Sequence, residues 1–335
     1  MRPILSILVP TFNRASFVER LLSEIEIQLY ECDRGTHVEV AIGDNASDDA
    51  TCHILASFSE RNTRWKIFRN TANLGADGNI LNLLAETHGK YRWIIGDDDL
   101  PARGLLSYIL GTVLSQSPSL IYLPSAWSPD ILSLKTNPAL QYSYHSLSSL
   151  TAARELNIWV TFLSAWIFNS DQLFTGLSTM ELISVGQGSS ISQLGWILPL
   201  LTCPQSRIFT LNQPCILATS GNTGGYAILS SFLVNYPKLV ISHTTGLFRM
   251  RLALIGRPLQ CYIPKLILSV RLGETYRDSG LVEGVFSHCV KLLWYFPSFW
   301  LLCIPSFFIP LKLVRFLRFS IGQIKGRFQG IRRHN

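Results

Sequence analysis

Three consecutive aspartates, Asp97-Asp98-Asp99, follow the apolar run Tyr91 to Ile95 and a glycine, Gly96. A polar turn at a strand end is the plain reading of such a cluster. The chemical reading is a hard divalent cation, which takes one or two protein carboxylates and fills its shell with substrate phosphate and water. On an extended backbone, side chains two apart point the same way. Asp97 and Asp99 would then address one ligand while Asp98 points elsewhere. Three adjacent like charges also repel, and a bound cation relieves that repulsion.

Three further polar clusters precede this one: Thr11, Asn13 and Arg14; Asp44 and Asn45; and the stretch Asn70 to Asp77. The elements between them explain why they belong together. Ile4 to Val9, Val38 to Ile42, Trp65 to Phe68, Tyr91 to Ile95 and Leu120 to Leu123 are short apolar runs, which predict strands covered on both faces. Phe17, Val18, Leu21, Leu22, Ile25 and Leu29 recur at helical spacing, as do Ile80, Leu81, Leu83 and Leu84. Further helices are expected over Asp48 to Phe58 and Leu105 to Leu114. Such alternation predicts βαβ units and a mostly parallel sheet. Ligands of these sheets bind outside the carboxyl ends of the strands, where all four clusters fall.

In order and strand context, VPTFNR (Val9 to Arg14), GDNASDD (Gly43 to Asp49), NTANLG (Asn70 to Gly75) and GDDD (Gly96 to Asp99) resemble the family 2 glycosyltransferases. The resemblance covers the first 125 residues or so, and the GDNASDD and GDDD variants are most similar to bacterial O-antigen enzymes of the abequosyltransferase type. It implies an α/β core of the GT-A (Rossmann-like) fold, and it implies roles by position. Pro10, Thr11 and Asn13 match the segment lining the nucleotide base and ribose, and Asp44 matches the aspartate that hydrogen-bonds the base. Asn73, Gly75 and Asp77 fall in the loop beside the nucleotide and donor sugar. Asp97 matches the carboxylate facing the ribose, and Asp99 the one holding Mn2+ or Mg2+ on the diphosphate; both are expected to serve catalysis, with Asp98 beside them at the donor. The implied metal is a Lewis acid that stabilises the leaving nucleoside diphosphate. Arg14 reads equally as a phosphate ligand and as a solvated residue at a helix start.

The same resemblance implies, for inverting enzymes, a catalytic carboxylate well beyond the aspartates that deprotonates the acceptor hydroxyl. Here no Asp or Glu occurs from Leu182 through Gly273. Asp171, Glu181 and His243 are the candidate bases, each also readable as a cap or surface residue. A transfer in which the departing phosphate oxygen takes the acceptor proton needs none of them.

Composition bounds the rest. Hydrophobic residues make up 47% of the 335 and charged residues 15%, which excludes a disordered chain. The net charge of +7 is localised: eight of the 29 Lys and Arg lie between Lys291 and Arg333, and no acid follows Glu283. Residues 1–283 are nearly neutral, with 21 basic against 22 acidic groups. A nucleic-acid reader spreads positive charge over its folded face, so no nucleic-acid partner is expected. Seven scattered cysteines without CxxC spacing argue against a disulfide framework or zinc site and for a reducing compartment. The opening MRPILSILVP is too short an apolar run for a signal peptide, so a cytoplasmic location is expected.

Three regions follow from these patterns: a nucleotide-sugar half over 1–125, a mostly helical acceptor-side half over 126–283, and a hydrophobic, basic tail over 284–335. Within the second, Asn222, Gly224 and Tyr226 read as acceptor pocket or Gly-rich turn, and Trp159, Trp166 and Trp196 as sugar platforms or core. In the tail, Leu292 to Leu311 carries 20 residues without charge, enough to cross a bilayer, but Pro297, Pro305 and Pro310 interrupt it. Leu313, Leu317, Ile321, Ile324 and Phe328 then line one helical face, with Arg315, Arg318 and Lys325 on another, the build of an in-plane amphipathic helix. Peripheral attachment is expected first, a re-entrant or spanning segment second.

The combined expectation is a glycosyltransferase at the cytoplasmic face of a bacterial inner membrane. It would take a nucleoside diphosphate sugar as donor, with a dideoxyhexose such as abequose implied by the subgroup, and a lipid-linked (polyprenyl diphosphate) oligosaccharide as acceptor. The rival from another class is a non-catalytic sugar-nucleotide-binding or assembly subunit, kept open by the acid-free second half.

Overall fold

A computed structural model of the chain describes residues 2–32, 37–62, 65–128, 141–175, 188–219, 227–274 and 285–316. The opening follows the expected alternation: β1 (Leu5–Thr11), α1 (Ala15–Tyr30), β2 (Val38–Asp44), α2 (Thr51–Arg61), β3 (Trp65–Arg69), α3 (Gly75–Glu86), β4 (Tyr91–Ile94), β5 (Leu100–Pro101), α4 (Leu105–Gln116) and β6 (Leu120–Tyr122). After these come β7 (Ser125–Ser128), β8 (Tyr144–Leu147), α5 (Ser149–Leu156), β9 (Trp166–Asn169), α6 (Ser170–Phe174), α7 (Leu194–Thr202), β10 (Ile208–Leu211) and β11 (Ile216–Thr219).

Eight described strands form one mixed sheet in the order β3-β2-β1-β4-β9-β6-β10-β8. β3, β2, β1 and β4 run parallel, while β9 lies antiparallel between β4 and β6. The strands are apolar runs because both faces are covered. Leu5, Ile7 and Val9 of β1 bury against Val18, Leu21, Leu22 and Ile25 of α1, together with residues of α2 and α4. The opposite face receives α3, which packs on β1 and β2. A second described sheet is small, in the order β5-β11-β7.

The chain forms two compact units, Met1–Asn222 with Lys238–Leu254, and Thr223–Pro237 with Ile255–Asn335. Divisions at 125 and 283 therefore do not follow the structure. β9 and β10 enter the sheet begun by β1, so the region expected to be mostly helical also supplies β8 to β11. All seven cysteines are unpaired.

In the second unit the charge-free run is not one helix. It is divided among Val285–Leu293, Phe299–Cys303 and Ile304–Phe308. Pro305 sits in the first turn of the last of these, where a missing N–H costs little. Arg271 ties the segment down, donating from Nη1 to the carbonyls of Ser306 at 2.8 Å and Ile309 at 2.9 Å. No described helix is long and apolar enough to cross a membrane. Of the in-plane helix expected from Leu313 to Phe328, residues from 317 onward lie outside the described residues.

Candidate active site

The four polar clusters meet at the carboxyl rim of the sheet. Thr11, Asp44 and Arg69 end β1, β2 and β3 in matching register. Asp44 is buried, with Oδ1 accepting from Ser47 N at 2.9 Å and Oδ2 paired with Arg69 Nη1 at 3.3 Å. Arg69 Nη2 also donates to Ser47 O at 2.8 Å, closing the GDNASDD turn onto β3. Asn13, at a φ of 51°, exchanges two bonds with the same turn: Nδ2 to Asp48 Oδ1 at 2.6 Å, and Asp48 N to Oδ1 at 2.9 Å. Asparagine tolerates this left-handed backbone better than most side chains.

The NTANLG loop is knitted to β2 by carboxamides. Asn45 Oδ1 accepts from Leu74 N at 2.9 Å and Asn70 Nδ2 at 3.0 Å, while its Nδ2 donates to Asn73 Oδ1 at 2.8 Å. Asn73 Oδ1 also accepts from Gly75 N at 2.8 Å, and Gly75 takes a φ of 73°, a left-handed conformation open to glycine at no steric cost. Asp77, in the first turn of α3, accepts from Ser190 N at 2.9 Å.

The aspartates lie on a tight turn after β4, closed by Asp99 N donating to Gly96 O at 3.1 Å. This corrects the extended geometry expected of them. Asp97 Oδ2 accepts from Thr11 Oγ1 at 2.7 Å, and its other oxygen lies 3.9 Å from Arg14 Nη1. Arg14 Nη1 also donates to Asp98 Oδ2 at 2.9 Å, so Asp97 and Asp98 share one cation. Asp99 is held from the other side: Oδ2 accepts from Ser164 Oγ and Oδ1 from Thr219 N at 3.3 Å. Thr219 Oγ1 secures the turn further by donating to Asp98 O at 2.6 Å.

Asp97 and Asp99 are 9% and 5% exposed. Burial pushes the Asp97 carboxyl up to about 7, against the pull of Arg14. Burial, then repulsion from Asp98, pushes the Asp99 carboxyl up to about 8. Three crowded carboxyls fit a hard cation: a divalent ion would offset the repulsion from Asp98, which adds to burial in raising Asp97 and Asp99. Asp99 keeps a second lone pair on each oxygen beyond those its donors use. Among the described residues, no group of three His, Cys, Asp or Glu is arranged to hold a metal ion.

Not every expected residue comes to this rim. Asp171 sits at the opposite end of the sheet, where Asn169 pairs with Tyr91 at the start of β4, and it is bound to Arg2 Nη2 at 2.6 Å. His243 Nδ1 lies 2.9 Å from Leu239 O of its own helix. Glu181, Asn222, Gly224 and Tyr226 lie outside the described residues. Trp166 and Trp196 are core. Arg69, Ser164 and Thr219 are among the contributors that were not expected site residues. Arg69 left a trace, a charged residue ending a strand that pairs with one ending in Asp44. Ser164 and Thr219 left none, since each meets the aspartates only through tertiary pairing.

Residues 6–158 match the Glycosyl transferase family 2 profile. Over 123 residues, 36% of this chain and 35% of that one, it is 37% identical to the abequosyltransferase RfbV of Salmonella typhimurium. Over 109 residues, 32% of this chain and 34% of that one, it is 30% identical to the GalNAc(5)-diNAcBac-PP-undecaprenol beta-1,3-glucosyltransferase of Campylobacter jejuni. These matches span about a third of the length of either relative. The fold is similar to that of S. aureus TarS 1-349 in complex with UDP-GlcNAc, with a TM-score of 0.54 at 13% identity, covering 87% of this chain and 89% of that one.

Proposed function

We propose that the protein transfers a sugar from a nucleoside diphosphate donor to a lipid-linked oligosaccharide in O-antigen-type surface polysaccharide synthesis. The observation that carries this reading is the cross-linking of four polar loops, through Thr11–Asp97, Arg14–Asp98, Asn13–Asp48 and Asn45–Asn73, into one rim beyond the strand ends. The base and ribose would lie along Pro10 to Asn13 and the GDNASDD turn, with Asn73, Gly75 and Asp77 flanking the nucleotide and sugar. Asp44 orders that wall by anchoring Arg69 and Ser47. Arg14 stands between the donor phosphates and the acidic turn, and Asp97 is oriented toward the ribose by Thr11. Mn2+ or Mg2+ would be held by Asp99 together with diphosphate oxygens. There it would supply Lewis-acid stabilisation of the leaving nucleoside diphosphate.

The 37% identity to an abequosyltransferase supports a dideoxyhexose such as abequose as the sugar. A polyprenyl diphosphate acceptor is supported by the Campylobacter relative, whose name carries one. Attachment to the cytoplasmic face of the inner membrane is supported by the second unit, where Trp294, Trp300, Leu301, Phe308 and Phe316 are exposed and Leu301 reaches 72%. The test is transfer of labelled sugar from CDP-, UDP-, dTDP- and GDP-linked donors to a solvent extract of membranes from a host deleted for this gene. Transfer or donor hydrolysis supports the enzyme and dismisses the non-catalytic subunit; neither, from a folded protein that binds nucleotide, favours that subunit.

A further inference from the structure

Two tryptophans stand out of the first unit's surface instead of packing into it. Trp127 on β7 is 46% exposed and Trp159, after α5, is 41% exposed. Their ring centroids are 5.9 Å apart at an interplanar angle of 39°. Phe162 backs Trp127 at 4.9 Å and is itself partly buried against the core, so the group is anchored. Burying an indole contributes more than burying almost any other side chain, and leaving two half out in one patch needs a ligand or partner to explain it.

Their position says which. β7 pairs in parallel with β11, Ser128 opposite Thr219, so Trp127 is one residue from the partner of the threonine that fixes Asp98 and Asp99. Phe162 is two residues before Ser164, whose hydroxyl donates to Asp99 Oδ2 and accepts from Gly96 N at 2.9 Å. The patch therefore neighbours both clamps on the aspartate turn: Trp127 lies on the strand paired with the one that ends in Thr219, and Phe162 lies two residues before Ser164. Thr11, Asn13 and Asp44, on the nucleotide side of that turn, come from other segments.

We infer that Trp127 and Trp159 form the acceptor-sugar platform: a pyranose ring of the acceptor stacks its C–H face on the indoles, which holds its hydroxyl toward the aspartate turn. A pyranose presents polarised C–H groups on one face, and the negative face of an indole attracts them. Sugar recognition also needs the adaptable edge hydroxyls to stay wet, which a half-exposed platform allows. This rests on the donor reading above.

The experiment measures two quantities on the full-length protein. One is calorimetric affinity for CDP, UDP, dTDP and GDP with Mn2+, and the other is initial transfer rate against dilutions of the membrane extract from the deletion host. Removing one stacking face by Trp127→Ala or Trp159→Ala should raise the apparent acceptor KM about 5- to 10-fold. Nucleotide affinity should stay within about twofold of wild type, and Trp127→Phe should recover most of the loss. An unchanged acceptor KM in both alanine variants overturns the platform while leaving the donor site standing. Equal losses in nucleotide affinity and acceptor KM also overturn it, since they mark a merely structural role. Wild-type protein that binds no nucleotide refutes the donor reading, and the platform with it.

Discussion

At the aspartate turn, burial governs the proton affinity of two carboxyls. Asp97 and Asp99 hold protons to about 7 and about 8 because burial disfavours their charged forms. Unfolded, both titrate near the ordinary carboxylate value of about 4, so between these limits the folded protein binds more protons than the unfolded chain. Their contribution to stability is therefore fully present below the unfolded value and is lost as pH rises through the folded one. Asp99→Asn keeps the shape and removes the charge. In metal-free protein it should melt increasingly above wild type as pH rises from about 5 to about 8. A melting difference that stays constant across that window contradicts the burial account. The reach of sequence reasoning at this scale follows from distance along the chain. The aspartates announced themselves as a triplet, and Asp44 and Asn13 by their motifs. Ser164 and Thr219, which decide where Asp99 points, lie far along the chain in segments that carry no polar pattern.

Strands and helices explain why the rim holds together. β1, β2 and β4 were legible because strands covered on both faces read as unbroken apolar runs. The geometry of the aspartates was not, because a turn and an extended strand end have the same residue types; what selects the turn is the bond from Asp99 N to Gly96 O and the grip of Thr219. Nor was the insertion of β9 between β4 and β6, a pairing between distant segments that local periodicity cannot encode. The close seat of α3 on β2 gives a test. A Cβ at Gly43 would lie 2.6 Å from Asn79 Oδ1 and 2.9 Å from Leu83 Cγ. Asn79 Nδ2 donates to Gly43 O at 2.7 Å, so the helix cannot retreat without breaking that bond. Gly43→Ala should cost about 1–3 kcal/mol in urea unfolding and weaken nucleotide binding through the NTANLG loop. Wild-type stability in that variant would show that α3 moves freely on the sheet.

On the scale of the molecule, charge and apolar exposure are unevenly placed. The sequence carries eight basic and no acidic residues from Lys291 to Arg333, and the second unit exposes Trp294, Trp300, Leu301 and Phe308. Anionic lipid attracts each nearby basic side chain by roughly 1 kcal/mol, and apolar side chains add their own burial. The full-length protein should co-sediment with vesicles containing anionic lipid, and the double variant Leu301→Asp, Phe308→Asp should bind them about 10-fold more weakly or worse. Equal sedimentation of the variant would detach this surface from the membrane reading.

On the function proposed above, the carboxyl rim of the large sheet binds a nucleoside diphosphate with a cation held at Asp99. Calorimetric titration of the full-length protein with CDP, UDP, dTDP and GDP, with and without Mn2+, for wild type and Asp99→Asn, tests it most directly. One nucleotide should bind in preference to the others, Mn2+ should tighten that binding at least about 10-fold, and Asp99→Asn should lose the Mn2+ gain. No heat of binding for any of the four from folded wild-type protein, or an Mn2+ gain that survives intact in Asp99→Asn, would contradict it.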